Sequence, residues 1–195
     1  MRLEDGVEIA VRDSTYQEPC QIVRTRWLVE NCRDVPVGLN GQKDIMELGC
    51  SNGHQLLACN GHIGVDLNPD ITRDNWKAHP DRHWITANIT NLPVLLSLPR
   101  THTILLPDVI EHLEFGNALK VIAGCKELAK HRILITTPNG TDLSKNQRNW
   151  MVKKHQFVVT KPKLKQILDA CSGDGWKITW HTDEAFVYIR MEVAK

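Results

Sequence analysis

Asp108, Glu111 and His112 occur together in the run Asp108-Val109-Ile110-Glu111-His112-Leu113. At i, i+3 and i+4 their spacing predicts one face of a helical turn. Two carboxylates and an imidazole on one face can hold a divalent ion or place a general base. His155, in Lys153-Lys154-His155-Gln156-Phe157, can add a further ligand from a later loop. Oxygen and imidazole donors together suit Mg²⁺ or Mn²⁺ better than zinc.

A second cluster precedes it. Glu47-Leu48-Gly49-Cys50-Ser51-Asn52-Gly53 closes an apolar run and opens a helical pattern. Gly49 and Gly53 let the backbone turn tightly and a ligand come close to it. A dinucleotide fingerprint reads G-x-G-x-x-G, whereas here Ser51 stands between two glycines set wider apart, a poor fit to a pyrophosphate. The next apolar run ends in Gly64-Val65-Asp66, where a carboxylate can accept both hydroxyls of a ribose. A glycine turn followed by a strand-end acid describes a nucleoside pocket. The plainer alternative is a structural turn with a solvated acid beside it.

The third feature is charge. Lys145, Arg148, Lys153, Lys154, Lys161, Lys163 and Lys165 fall between Leu143 and Leu168 without an intervening acid. Such a stretch can steer an anionic acceptor, either a nucleic acid or a phosphorylated small molecule. Trp150 and Phe157 offer stacking surfaces for a base. A charge run is more often a solvated face, and the whole chain carries only +1, from 24 basic and 23 acidic residues. Trp76, Trp84, Trp176 and Trp180 read as core or lid.

These groups need a scaffold. The chain has 195 residues, 42% hydrophobic and 24% charged, with a mean hydropathy of −0.31. That suits one globular domain with a small appendage and excludes collagen, coiled coil and a disordered tail. No apolar run approaches the roughly 18 residues of a membrane span, and the first residues lack the layout of a signal peptide. Cys20, Cys32, Cys50, Cys59, Cys125 and Cys171 show neither zinc-knuckle nor redox spacing, so free thiols in the cytoplasm are expected. Cys125 and Cys171 fall in apolar helical patterns and read as small core residues.

Residues 17–32 carry Ile22, Val23, Trp27 and Leu28 at helical spacing. Strands are expected at Ile45–Leu48, His62–Asp66, Trp84–Ala87, Thr103–Leu106 and Ile133–Thr137, with helices over His54–Cys59, Gly116–Lys130 and Lys163–Cys171. Trp176–Trp180 and Phe186–Val193 alternate and lie close enough to pair antiparallel. Alternating strands and helices imply an α/β, doubly wound parallel sheet. Ligands then sit beyond the carboxyl ends of the strands, at Gly49–Gly53, Asp66–Pro69, Asn88–Leu92, Pro107–Leu113 and from Pro138 onward, and all five segments hold polar or special residues. Residues 1–43 read as an N-terminal helical extension and 44–195 as the ligand-binding domain.

From Asp44 onward, Glu47-x-Gly49-Cys50-x-x-Gly53, Gly64-Val65-Asp66, Asp108-x-x-Glu111-His112 and Thr137-Pro138-Asn139 resemble the motif series of class I S-adenosylmethionine-dependent methyltransferases. The resemblance implies a Rossmann-like, seven-stranded sheet with an antiparallel last strand. It implies S-adenosyl-L-methionine as cofactor, bordered by Glu47, Gly49, Cys50, Ser51 and Gly53 at the methionine part. Asp66 would meet the ribose and Asn88 and Ile89 the adenine, with Leu67 and Asp108 also among the cofactor-binding residues. Ser51 stands where a glycine is common, and Asn88 where an acid is usual; the Asn88 carbonyl can still accept a hydrogen bond.

The Asp108, Glu111, His112 and His155 set is also similar to that of metal-dependent small-RNA 2′-O-methyltransferases, in which the ion activates a ribose hydroxyl. Asp108 there replaces a glutamate. A glutamate–histidine pair at this position is widespread among methyltransferases that bind no metal, where it can cap the helix and shape the pocket. The expected reaction is methyl transfer to an oxygen or nitrogen nucleophile, with His112 or His155 taking the proton and Asp108 beside them. Two rivals remain open, a nucleotide-binding oxidoreductase and a noncatalytic scaffold.

Overall fold

The computed structural model describes residues 19–38, 40–141 and 155–194. It begins with α1 (Pro19–Asn31), after which strands and helices alternate: β1 (Lys43–Leu48), α2 (His54–Ala58), β2 (Gly61–Asp66), α3 (Pro69–Ala78), β3 (His83–Thr86), α4 (Leu92–Leu96) and β4 (Thr101–Pro107). A 3₁₀ turn, Ile110–His112, leads into α5 (Phe115–Leu128), which passes directly into β5 (Ala129–Pro138). The chain ends with α6 (Lys161–Cys171), β6 (Trp176–Thr182) and β7 (Phe186–Val193).

The seven strands form one sheet in the order β3-β2-β1-β4-β5-β7-β6. β1 to β5 run parallel, and β7 lies antiparallel between β5 and β6, with Ile135 opposite Ile189 and Trp180 opposite Ile189 on the other side. This is the expected doubly wound sheet with an antiparallel last strand. The central strands β1, β4, β5 and β7 are buried on both faces, whereas the edge strands β3 and β6 are largely exposed. Met46, Leu48, Ile104, Leu106, Ile133 and Ile135 pack beneath α4, α5 and α6, and Cys125 and Cys171 sit in that core. The alternate residues Ile45, Leu105 and Leu134 face the other way, against Leu28 and Cys32 of the α1 segment and Leu56 of α2.

Two helices went unread in the sequence. Both α3 and α4 carry an asparagine cap and an early proline. Asn68 accepts the Asp70 N–H and Asn91 the Val94 N–H, with Pro69 and Pro93 in the first turns. The face of α1 also differs from expectation. Val23 is 51% exposed, while Arg24, Thr25, Leu28 and Cys32 are buried.

The C-terminal end of α1 is tied to the sheet by Arg132 of β5, whose side chain is 1% exposed. Its guanidinium donates to the Asn31 carbonyl, to both Asp34 oxygens at 2.6 and 2.8 Å, and to Glu192 of β7 at 2.6 Å. Among the described residues no helix is long and apolar enough to cross a membrane, and Cys32, Cys50, Cys59, Cys125 and Cys171 are all free and buried.

Candidate functional site

The turn after β1 is held from below. Glu47 is buried, and its Oε2 accepts the Leu56 N–H of α2 at 2.6 Å. Burial pushes its carboxyl up to about 8. Gly49, Ser51 and Gly53 all have left-handed backbones, with φ of 69°, 45° and 73°. Non-glycine residues pay sterically for that region, so Ser51 needs fixing. Asp66 Oδ2 accepts the Ser51 N–H and Asp66 Oδ1 the Asn68 N–H, each at 2.9 Å, while Asn75 donates to the Ser51 carbonyl at 2.6 Å. The strand-end acid therefore braces the turn and the start of α3 together. Cys50 is buried beneath the turn, and burial raises its thiol pKa.

Beyond the carboxyl ends of β1, β2 and β4 opens a cavity of about 320 Å³. It is lined by Gly49, by Asp66 and Leu67, by the segment Ala87, Asn88, Ile89 and Thr90, and by Asp108, Val109, His112 and Leu113. Seven sequence-predicted residues thus line one space: Gly49, Asp66, Leu67, Asn88, Ile89, Asp108 and His112. Glu47, Cys50, Ser51, Gly53, Glu111 and His155 do not line it. The Asn88 carbonyl oxygen accepts from the Thr90 N–H and hydroxyl at 3.0 and 2.8 Å, so it shapes its own turn. Two larger depressions, about 370 and 500 Å³, lie around His62 and His83 near the opposite ends of β2 and β3 and contain none of the predicted residues.

The acid–histidine run departs from a helical face. Asp108 has a φ of 53°, with its N–H donating to the Thr136 carbonyl at 2.9 Å, and only Ile110–His112 make the 3₁₀ turn. That backbone turns the Asp108 carboxylate away from Glu111 and toward Arg24 of α1, with which it forms an ion pair. Arg24 lies over the Phe186 ring, 5.4 Å from its centroid.

Glu111 points inward. Its Oε2 accepts the Thr137 hydroxyl at 3.0 Å, and its Oε1 is buried without a hydrogen-bond partner. Burial raises its carboxyl to about 7. The Glu111 carbonyl accepts the Gln156 N–H at 2.8 Å, bringing His155 to the turn. The His112 and His155 rings stand 4.8 Å apart at 64°, and burial lowers the His112 pKa. Potential ligand atoms of Glu111, His112 and His155 lie within 4.8 Å of one another, without Asp108.

Of the basic stretch, Lys145, Arg148, Trp150, Lys153 and Lys154 lie outside the described residues. Lys165 pairs with Asp169 at 2.8 Å. Lys163 stands over the rings of Phe115 and Phe157, 5.4 and 5.0 Å from their centroids. Phe157 is 4% exposed and meets Phe115 edge to face at 5.0 Å, so it packs rather than stacks on a base.

Arg24 escaped the sequence reading. Its signal was its position one and two helical turns before Leu28 and Cys32, on the face that proves to be buried.

No protein-family model and no curated protein sequence matches this chain. Solved structures do. An O-methyltransferase family protein from Burkholderia thailandensis superposes with a TM-score of 0.66 at 15% identity, over 90% of this chain and 57% of that one. A SAM-dependent methyltransferase from Archaeoglobus fulgidus gives 0.64 at 17%, over 88% and 94%. A magnesium protoporphyrin IX methyltransferase from Synechocystis, with bound SAH, gives 0.61 at 14%, over 89% and 81%. The chain thus spans little more than half of the first of these proteins and most of the other two. At these identities the likeness establishes the fold, which is the Rossmann-like fold of class I methyltransferases.

Proposed function

On that fold, we propose that the chain is an S-adenosylmethionine-dependent methyltransferase acting on an oxygen or nitrogen nucleophile of a separate acceptor. The observation that carries this reading is the cavity at the carboxyl ends of β1, β2 and β4, where Gly49, Asp66, Asn88 and Asp108 converge. Its chemistry suits the cofactor. Leu67, Ala87 and Ile89 give an apolar side for the adenine, and Asp66 retains lone pairs for ribose hydroxyls beyond those used by Ser51 and Asn68. Within this reading residues 44–195 form the cofactor-binding unit and 1–43 its helical extension.

When bound, the cofactor's sulfonium supplies a methyl group already activated for in-line transfer. The chain's task is then alignment, which can contribute several kcal/mol, up to about 7–11 in the best cases. His112, with its pKa lowered by burial, is neutral near pH 7 and able to take a proton from an oxygen nucleophile. His155, whose ring is 4.8 Å away, is the alternative base. Lys163, held over two phenyl rings, favours an anionic acceptor, either a small phosphorylated molecule or a nucleic acid. The buried free cysteines favour a cytoplasmic setting.

A second reading rests on the Glu111–His112–His155 group. One carboxylate oxygen and two imidazoles within 4.8 Å, with Glu111 Oε1 unpartnered, suit Mg²⁺ or Mn²⁺. Such an ion lowers the pKa of a coordinated hydroxyl, which would favour ribose 2′-O-methylation of RNA.

The test is calorimetric titration with S-adenosylhomocysteine, with and without Mn²⁺. One-to-one binding in the absence of metal is the expected result. A manganese-dependent heat that His155→Ala abolishes would move the metal-assisted reading forward. Absence of binding in both arms overturns the proposal and leaves a noncatalytic scaffold.

A further inference from the structure

The two edges of the sheet differ. β3 is short, His83–Thr86, and its length alone limits what can pair with it. β6 spans Trp176–Thr182, contains neither proline nor an acid, and pairs with β7 residue for residue without a bulge. Proline, bulges and charges are the usual means of blunting an edge, and of these β6 has a lysine, Lys177.

The outer backbone groups of β6 follow from those already spent on β7. Ala194 donates its N–H to the Gly175 carbonyl at 2.7 Å, and Asp183 donates to the Phe186 carbonyl at 3.0 Å, at the two ends of the ladder. Alternate residues of an antiparallel strand bond to the same neighbour, so Lys177, Thr179 and His181 face β7. The N–H and C=O groups of Trp176, Ile178, Trp180 and Thr182 therefore point away from the sheet. Among the described residues no strand takes them. Side chains alternate between the faces as well. Trp176 and Ile178 pack against the main core, and Trp180 shares their face but is 49% exposed.

Turned about a two-fold axis at Thr179, this strand is its own complement. Ile178 falls opposite Trp180 of the second copy and Trp176 opposite Thr182, so each outward N–H meets an outward C=O. Thr179 meets its own copy at a non-bonded position, where Cα atoms approach to about 4.5 Å. Aromatic against β-branched and threonine against threonine are stabilising cross-strand pairs. On the other face Lys177 falls opposite His181, while Glu192 of its own chain already stands across from it on β7.

We propose that β6 is a docking edge for a second copy of this chain, joined by antiparallel strand pairing into one sheet across both copies. Each chain has one such edge and the pairing consumes it, so the association closes at the dimer. The cavity stays open, because β5 and β7 separate β4 from this edge.

Sedimentation of the full chain over a concentration series should show monomer passing to dimer and nothing larger. Thr179→Lys sets two ammonium groups against each other on the two-fold axis and should weaken the association by about fivefold or more. Trp180→Pro deletes an outward N–H and none that β7 uses, so it should weaken the dimer at least as much; Thr179→Lys decides the matter if that variant misfolds. Thr179→Cys reads the register directly. Oxidised glutathione should link two copies through this position, the paired thiols forming a disulfide as the glutathione disulfide is reduced to two thiols. Lys177→Cys, which falls opposite His181, should not cross-link beyond the level of the wild-type chain treated in the same way. A monomer throughout the series, a dimer that Thr179→Lys leaves unchanged, or equal cross-linking of the two cysteine variants overturns the proposal. A monomer in which the Ile178 and Trp180 amides resist exchange also overturns it, and assigns the edge to another segment of the same chain.

Discussion

Glu47 shows how one side chain can join the site to the stability of the fold. Its carboxyl is fully buried and rises from an ordinary 4.5 to about 8, chiefly through burial. In the unfolded chain the same group ionises near 4.5. Between those values the folded state holds a proton that the unfolded state has released. The contribution of Glu47 to stability is therefore fully present below about pH 4.5 and is lost as the pH rises toward 8. Glu47→Gln removes the titration and keeps a carbonyl oxygen to accept the Leu56 N–H. The variant should match the wild type at pH 5 and melt higher at pH 8, by about 2–4 °C for each kcal/mol recovered in a chain of this size. Glu111 shifts in the same direction, so the pH slope should shrink rather than vanish. Parallel melting curves for the two proteins at both pH values would show that Glu47 does not titrate in this window.

At the scale of elements, the glycine turn depends on β3. Trp84 donates its indole N–H to the His79 carbonyl at 3.0 Å, which fixes the ring beneath the turn. A Cβ at Gly53 would come within 2.5 Å of that ring, and one at Gly64 within 2.4 Å. Gly64→Ala should therefore destabilise the protein by about 1–3 kcal/mol, the range for overpacking a filled site. It should also weaken S-adenosylhomocysteine binding, because the displaced ring supports the turn that carries Ser51. Adding Trp84→Leu relieves the clash and should recover part of the melting temperature; no recovery would place the cost elsewhere.

The sequence patterns that were easy to read belong to this scale as well. Buried strands such as Ile133–Thr137 are continuous apolar runs, and Gly49, Gly53 and Asp66 announce a turn and a strand end by residue type alone. The acid–histidine run misled because i, i+3, i+4 spacing implies a shared face only when the backbone is helical, and Asp108 is left-handed with a φ of 53°. Arg24 was hidden for another reason. A charged residue on a helix reads as solvent-facing until its partner, Asp108, is brought to it by the fold.

Across the whole molecule, the same tertiary dependence fastens α1 to the sheet at both of its ends. Its N-terminal half pairs Arg24 with Asp108, which lines the cavity, while its C-terminal end is held 101 positions along the chain by Arg132 through the Asn31 carbonyl. Arg132 also joins Asp34 to Glu192 of β7, so one guanidinium ties the helix segment to two strands. The attraction to Arg132 holds the Asp34 carboxyl well below the usual range, but Asp34 is 66% exposed and can return to water. Arg132→Met should for that reason cost only about 1–3 kcal/mol, nearer a charged hydrogen bond than a fully buried pair. The loss should be local. Amides of α1 should exchange with solvent faster in the variant while those of β4 and β5 stay protected, since the apolar contacts of the sheet with α4, α5 and α6 are untouched. S-adenosylhomocysteine affinity should then fall together with α1 protection, because a loosened helix no longer holds Asp108 in place at the cavity through Arg24. Uniformly faster exchange throughout the sheet would show instead that Arg132 supports the fold as a whole, and would separate the docking of α1 from ligand binding.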